Sequence, residues 1–312
     1  MSTTERGRIP ADPGLQARMA VTMFLIGALG VAAVAAMIAL GVSLVFVVVI
    51  TAAMLFVPYF FSDRMALYGM NARIVTPQEA PDLHAIVDKL CAQTGMLKPR
   101  VAIADTDMPN AFATGRNQKH AVVCATSGIM RRLDNDELEG VLGHELSHVA
   151  HRDVAVMTFA SALGVAAGLI TRFVFYSELF GGSFGGRSNN NNNSNNALVF
   201  LAVMVVSIVV YAISFLLTRT LSRYRELSAD RSGAYLTGKP RSLASALQKI
   251  TGDMARIPTN DLRTAEPFNA FFFTPAIAQG FSISSLFSTH PSLEKRLAQL
   301  HQIEVDLGQA PY

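Results

Sequence analysis

Asp134-Asn135-Asp136-Glu137-Leu138-Glu139-Gly140-Val141-Leu142-Gly143-His144-Glu145-Leu146-Ser147-His148-Val149 is the stretch on which the reading of this chain turns. In a helix, residues four apart stand one turn above each other on one face, so His144 and His148 can grip one metal ion. Glu145, one position after the first histidine, can bring its carboxylate to a metal-bound water without itself being a ligand. That is the geometry of zinc-assisted peptide hydrolysis. The apolar Val141, Leu142, Leu146 and Val149 run alongside, which marks a packed amphipathic helix and not a solvated one. Asp134 followed by Glu137 has the spacing of a capping box. Asp136 adds to the acidic charge that suits the positive end of the helix dipole.

Outside this helix the chain is strongly apolar: 51% of its 312 residues are hydrophobic, 16% are charged and none is Trp. No charge occurs from Met19 to Phe61, 43 positions that as one helix would run about 64 Å, twice the hydrocarbon thickness of a bilayer. The segment must fold back, with the turn expected near Gly41-Val42-Ser43. The first apolar block is expected to be retained, because the second continues it without a small-residue cleavage site. Two further spans are expected at residues 154–176 and 197–217. Arg6, Arg8, Arg18, Arg64, Arg73, Arg152 and Arg219 through Arg231 all fall on one side. The opposite side has the bare Gly41 turn and residues 177–196, a Gly- and Asn-rich tract with Arg187 as its one basic residue. The positive-inside rule then puts both termini and the metal motif in the cytoplasm of a multi-pass cell (inner) membrane protein. The expected order is an N-terminal tail (1–18), a membrane hairpin (19–61), a first catalytic part (62–153), the third span, an Asn-rich outer loop, the fourth span, and a second catalytic part (218–312). The Asn-rich tract cannot bury a core and reads as a disordered linker. Cys91 and Cys124 read as free thiols in a reducing compartment. The net charge of +3 is accounted for by arginine at membrane edges, and nothing suggests nucleic-acid binding.

The polar parts supply the rest of a site. Leu83, Ile86, Val87 and Leu90 predict a helix over 77–95, preceded by Thr76-Pro77 and stopped by Gly95. Residues 100–104, 111–114 and 120–124 predict a small sheet, the last two strands joined by the Gly115-Arg116-Asn117 turn. His120 reads as a solvated strand start. A tetrahedral zinc needs a third protein ligand, with water in the last position. His151 lies three turns from His144, about 10 Å along the axis, too far to share one ion. The alternative is a helix after the fourth span that sets Glu226 and Asp230 one turn apart, one carboxylate binding zinc and the other holding a histidine. His148 precedes residue 154 by six positions and Glu226 follows residue 217 by nine, which puts the metal about 9 to 14 Å from the membrane edge.

Taken together, Asn110-Ala111-Phe112-Ala113-Thr114-Gly115, His144 through His148, Glu226 through Asp230, and Thr289-His290-Pro291 with Arg296 resemble the membrane metalloproteases of the HtpX type (peptidase family M48). These are related to the CAAX prenyl protease. The resemblance implies a mainly α integral membrane protein with four transmembrane helices and a cytoplasmic α+β zincin-type catalytic domain. It implies that His144, His148 and Glu226 bind one Zn²⁺, that Glu145 is the catalytic base, and that Asp230 holds a zinc-bound histidine from behind. It implies further that Asn110 and the backbone of Ala111, Phe112 and Ala113 pair with extended substrate, and that His290 and Arg296 hold substrate carbonyls or the oxyanion. By itself Thr289-His290-Pro291 reads as a helix start with a solvated cap. The implied partners are the lipid bilayer and damaged or misassembled membrane proteins. A protease processing one peptide or lipidated tail is the alternative within the class. The intact Glu145 and the open metal position favour an enzyme over a membrane holdase with structural zinc.

Overall fold

The computed structural model describes residues 13–39, 44–179, 193–254 and 290–309. Residues 1–12 of the expected N-terminal tail, the Gly41-Val42-Ser43 turn, the Gly- and Asn-rich tract from 180 to 192 and Thr289 lie outside the described residues, while residues 13–18 of that tail already belong to the first helix. The described residues divide into two compact units, one within 13–16, 59–155, 222–254 and 290–309 and the other within 17–39, 44–58, 156–179 and 193–221.

The second unit draws on four long helices, α1 (Pro13–Ala39), α2 (Leu44–Gly69), α6 (Asp153–Leu179) and α7 (Asn193–Thr237). Several of its small residues face inward and many of its large ones outward. Ala160 packs with Ile26 and Leu221, and Ala167 with Ala33 and Val210. A Cβ placed on Gly164 would touch the Ser214 side chain at 3.4 Å. Close approach through small residues is how helices pack where lipid removes the hydrophobic drive between them. Phe24 and Val31 are each 73% exposed. Among the described residues, helices spanning Pro13–Ala36 and Leu201–Thr237 are long and apolar enough to cross a membrane, by length and composition.

The first unit is built on a four-stranded sheet in the order β1-β2-β4-β3, with β1 (Ala72–Ile74), β2 (Arg100–Ala104), β3 (Ala111–Thr114) and β4 (Val122–Thr126). β2 and β4 run parallel, and β1 and β3 lie antiparallel on the two edges. Side chains alternate between the faces as a pleat requires. Val101, Val123, Ala125 and Ala111 enter one core cluster, while Ala102, Ala104, Phe112, Val122 and Cys124 enter the other with Ala66 from the end of α2. The first cluster joins α3 (Pro81–Thr94), α4 (Ser127–Arg132), α5 (Asn135–Ala150), α8 (Pro240–Met254) and α9 (Leu293–Asp306) through Val87, Leu90, Ile129, Val141, Leu142, Leu247 and Leu300. Each such side chain, fully buried, contributes about 1.5–3 kcal/mol as an upper bound. Cys91 and Cys124 are free and buried.

Several boundaries depart from the sequence reading. α3 starts at Pro81 and not at 77, because the Glu79 carboxylate accepts from Thr76 N–H at 2.7 Å and closes a separate turn first. β4 begins at Val122, since Gln118–His120 form a short 3-10 turn, where the Asn117 side chain accepts from His120 N–H at 3.2 Å. Gly115 adopts φ +126 before it, and a Cβ there would stand 2.5 Å from the His120 carbonyl oxygen. β1 was not anticipated; three half-exposed residues carry no alternation to read. Asn193 through Asn196 belong to the first turn of α7 and not to the linker. Beyond the expected fourth span no second helix starts: α7 runs unbroken past Asp230, because neither Gly nor Pro occurs between residues 197 and 232.

The second helix of the site meets the first backbone to backbone. A Cβ on Gly233 of α7 would lie 2.7 Å from His144 N and 3.0 Å from His144 Cα. Gly233→Ala must therefore push α7 off α5, at a cost of about 1–3 kcal/mol typical of overpacking. The expected outcome is a lower melting temperature of the metal-free protein together with weaker metal binding; a variant that melts and binds like the parent contradicts the close approach.

Candidate active site

α5 is set by both of its ends. Asp134 accepts from Glu137 N–H at 2.9 Å and Glu137 accepts from Asp134 N–H at 3.0 Å, the reciprocal pair the sequence predicts. Val141, Leu142, Leu146 and Val149 are buried, and the adjoining stripe with His144 and His148 faces Glu226 and Asp230 of α7. His151 caps the C-terminus through its N–H and stays exposed, away from the cluster. His120 engages Arg116 and Asn117 instead.

Three donor atoms converge. His144 Nε2 and His148 Nε2 are 3.2 Å apart, and Glu226 places Oε2 3.6 Å from the first and Oε1 3.5 Å from the second. Ligands bound at about 2.0–2.1 Å in a tetrahedron stand roughly 3.3–3.4 Å from one another, so this triangle fits a zinc-sized ion without rearrangement. Two imidazoles and a carboxylate are also the donor chemistry such an ion takes with one position left open. Among the described residues this is the one group of three or more His, Cys, Asp or Glu side chains that could hold a metal.

Glu145 lies beside the triangle and outside it. Its Oε2 accepts from Ala113 N–H at 2.9 Å, which pins the carboxylate to strand β3. Burial raises its pKa; the neighbouring His144 and His148 pull the other way, Glu226 adds to the rise, and the Ala113 N–H opposes it. A carboxyl moved up from its ordinary range is suited to trade protons near neutrality. β3 is an edge strand, and the Asn110 carbonyl accepts from Thr126 N–H of β4 at 2.9 Å. By the alternation of an antiparallel ladder, Ala111 and Ala113 turn their backbone groups away from β4. Asn110 is fully buried, its own N–H donating to Thr126 Oγ1 at 2.9 Å.

Behind the donors stands a layer of carboxylates and cations. Asp230 Oδ1 is 2.8 Å from His144 Nδ1, and Arg296 grips Asp230 with Nε at 2.7 Å and Nη2 at 2.6 Å. His290 places Nδ1 3.0 Å from Glu226 Oε2. The two residues expected to hold substrate thus contact carboxylates of the metal site, Arg296 acting at one remove through Asp230. Burial works against a charge on His144, but Asp230 and Glu226 outweigh it and push its pKa up to about 9. The sequence reading missed Asp153 and Arg225, which meet behind His148. It also missed the Ala113 N–H on Glu145, because a backbone donor on a separate strand leaves no trace in residue types.

The model of peptidase family M48 matches residues 77–304. The chain is 57% identical to "Protease HtpX homolog 1" of Streptomyces coelicolor, over 98% of each chain. It is 53% identical to "Protease HtpX homolog" of Moorella thermoacetica, over 97% of this chain and 98% of that one. Ste24p of S. mikatae aligns with 88% of this chain and 62% of its own length, at 19% identity and a TM-score of 0.49.

Two outcomes follow from this geometry. Glu145→Gln keeps size but loses the proton acceptor, so it should retain metal while casein cleavage falls at least about a hundredfold, in the range removal of a general base produces. Glu226→Ala should lose both metal and cleavage, and normal metal content in that variant refutes its assignment as third ligand. Second, a metal entering the site must displace the proton that His144 holds below pH about 9. Apparent zinc affinity should therefore weaken as pH falls, by about tenfold per unit for that one proton. Chelator competition between pH 6 and 9 reads the slope, and a flat profile contradicts a charged His144 in the metal-free site.

Proposed function

The chain belongs to peptidase family M48 and is a metalloprotease, and from that premise we propose that it is a zinc endopeptidase of the cell membrane that cuts misfolded or damaged membrane proteins near the cytoplasmic surface. The observation that carries the catalytic part is the triangle of His144, His148 and Glu226, with Glu145 of the same helix as the histidines held beside it by the Ala113 N–H of the edge strand. One Zn²⁺ per chain is proposed, held by those three side chains. When bound it supplies a Lewis acid that polarises the scissile carbonyl and lets water ionise near neutral pH.

The chain's own residues do the rest. Glu145 takes the proton of the attacking water and returns it to the leaving amine nitrogen. The Ala113 N–H holds the carboxylate against β3, so base and strand are in register before substrate arrives. The strand from Asn110 to Ala113 pairs with an extended substrate, a mode that reads main chain more than side chains. His290, with Nδ1 on Glu226, is the proposed donor to the carbonyl oxygen through its other ring nitrogen, and Arg296 steadies His144 through Asp230.

α1, α2, α6 and α7 are the proposed four spans; even a 26-residue helix such as α2 is about 39 Å long, enough to cross with tilt. Arginines on one side of them support a cytoplasmic site with both termini on that side. Access then selects the substrate. The short sequence intervals from His148 and Glu226 to the spans favour peptide bonds just outside the bilayer.

Cleavage should accordingly follow position more than sequence. In liposomes, a model membrane protein with a movable flexible segment should be cut mainly within roughly ten to twenty residues of the membrane, allowing slack in a chain of about 3.3 Å per residue. Proline at the scissile pair should block the cut, since it removes an N–H and fixes φ. Cleavage that tracks one short sequence wherever it is placed overturns the quality-control reading in favour of a specific processing protease.

A further inference from the structure

Each histidine of the metal triangle has a carboxylate on its far side, but the two carboxylates arrive by different routes. Asp230 reaches His144 from α7, one turn beyond Glu226. Asp153 reaches His148 from only five residues along the chain, its Oδ2 2.5 Å from Nδ1. On an unbroken helix a residue five positions on lies about 140° around the axis and faces elsewhere. The chain gets there by interrupting the helix. α5 ends at Ala150, Arg152 takes φ +57, a left-handed conformation uncommon outside glycine, and α6 opens at Asp153.

Asp153 is not simply a helix-start acid. Its side chain is 3% exposed, and Arg225 Nε lies 3.0 Å from the same Oδ2 that faces His148. A buried carboxylate needs such a cation to stay ionised and able to accept. Arg225 immediately precedes Glu226, so one carboxylate joins the second histidine to the segment that bears the third donor. His148–Asp153–Arg225 thereby repeats the chemistry of His144–Asp230–Arg296.

We propose that Asp153, held by Arg225, is a positioning residue of the metal centre. It accepts the His148 Nδ1–H, which commits the ring to the tautomer whose Nε2 lone pair is offered to the metal, and it fixes the ring plane toward Glu226. The left-handed Arg152 is the local distortion that delivers it.

The inference rests on the metal site proposed above, and its test separates the two. Ser and Asn can both open α6, but only Asn has the length to present an acceptor to His148. Zinc dissociation constants of the purified full chain in detergent, by chelator competition, should weaken roughly three- to fivefold in Asp153→Asn and about ten- to a hundredfold in Asp153→Ser, the usual span for losing a ligand's hydrogen-bond partner. The cobalt-substituted Ser variant should show a shifted visible spectrum, and at saturating zinc its kcat should fall with KM unchanged. Arg225→Gln leaves the start of α6 intact and should weaken zinc about three- to tenfold. A Ser variant that binds zinc no more weakly than the Asn variant overturns the proposal. So does unchanged affinity in Arg225→Gln, which decides the matter even if Asp153→Ser does not fold. A parent chain that binds no zinc overturns the zinc reading itself.

Discussion

The site depends on two helices approaching until only glycine fits between them. His144 and His148 sit on α5, Glu226 on α7, and donor atoms on separate helices come within 3.5–3.6 Å only because Gly233 lets the α7 backbone rest on that of His144. Gly143 on α5 does the same for Thr237, whose Cγ2 stands 3.0 Å from where a Cβ would be, and Gly140 for Leu243 at 3.2 Å. Helix spacing is set by the side chains at the contact, and here the closest approaches fall at Gly140, Gly143 and Gly233. The sheet then sets the other side of the site. Buried β4 anchors the edge strand β3, and β3 offers Ala113 N–H to Glu145.

Charge follows from the same closeness. Three imidazoles and four carboxylates gathered in one small volume repel and attract too strongly to stand without counter-ions. Arg296 and Arg225 supply them, each bound to an aspartate that faces a histidine and neither to the donors directly. The cations thus set the orientation of the ligands while leaving the metal position to the metal. Neither Glu226 nor Glu145 is gripped by an arginine, but Glu226 is ringed by histidines whereas the pKa of Glu145 moves up under burial, which is what a proton carrier requires.

What could be read from the sequence is what periodicity and local spacing encode. The α5 capping box, the buried stripe of Val141, Leu142, Leu146 and Val149, and two of the strands stand where spacing put them, because each is decided by residues within a turn or two. Glu226 and Asp230 were legible as a pair for the same reason. His290 and Arg296 were not: nothing local distinguishes a helix-start histidine and a helical arginine from solvated ones, and the family resemblance alone pointed to them. Asp153 was hidden more deeply, since helical counting turns it away from His148 and only the left-handed Arg152 brings it back. Gly233 reads as an indifferent helical glycine until the neighbouring backbone is seen.

His290 follows Glu226 by 64 positions and Arg296 follows Asp230 by 66. Synthesis proceeds from the other end, so a growing chain that has emerged as far as Asp230 already carries the three side chains of the candidate triangle yet has neither of these partners. Over that interval Asp230 is without the arginine that grips it and Glu226 without the Nδ1 of His290. The candidate site therefore has its full set of partners only once α9 has been made and docked. For a metalloprotease, that order of synthesis leaves the candidate site short of two of its partners while the chain is still being made.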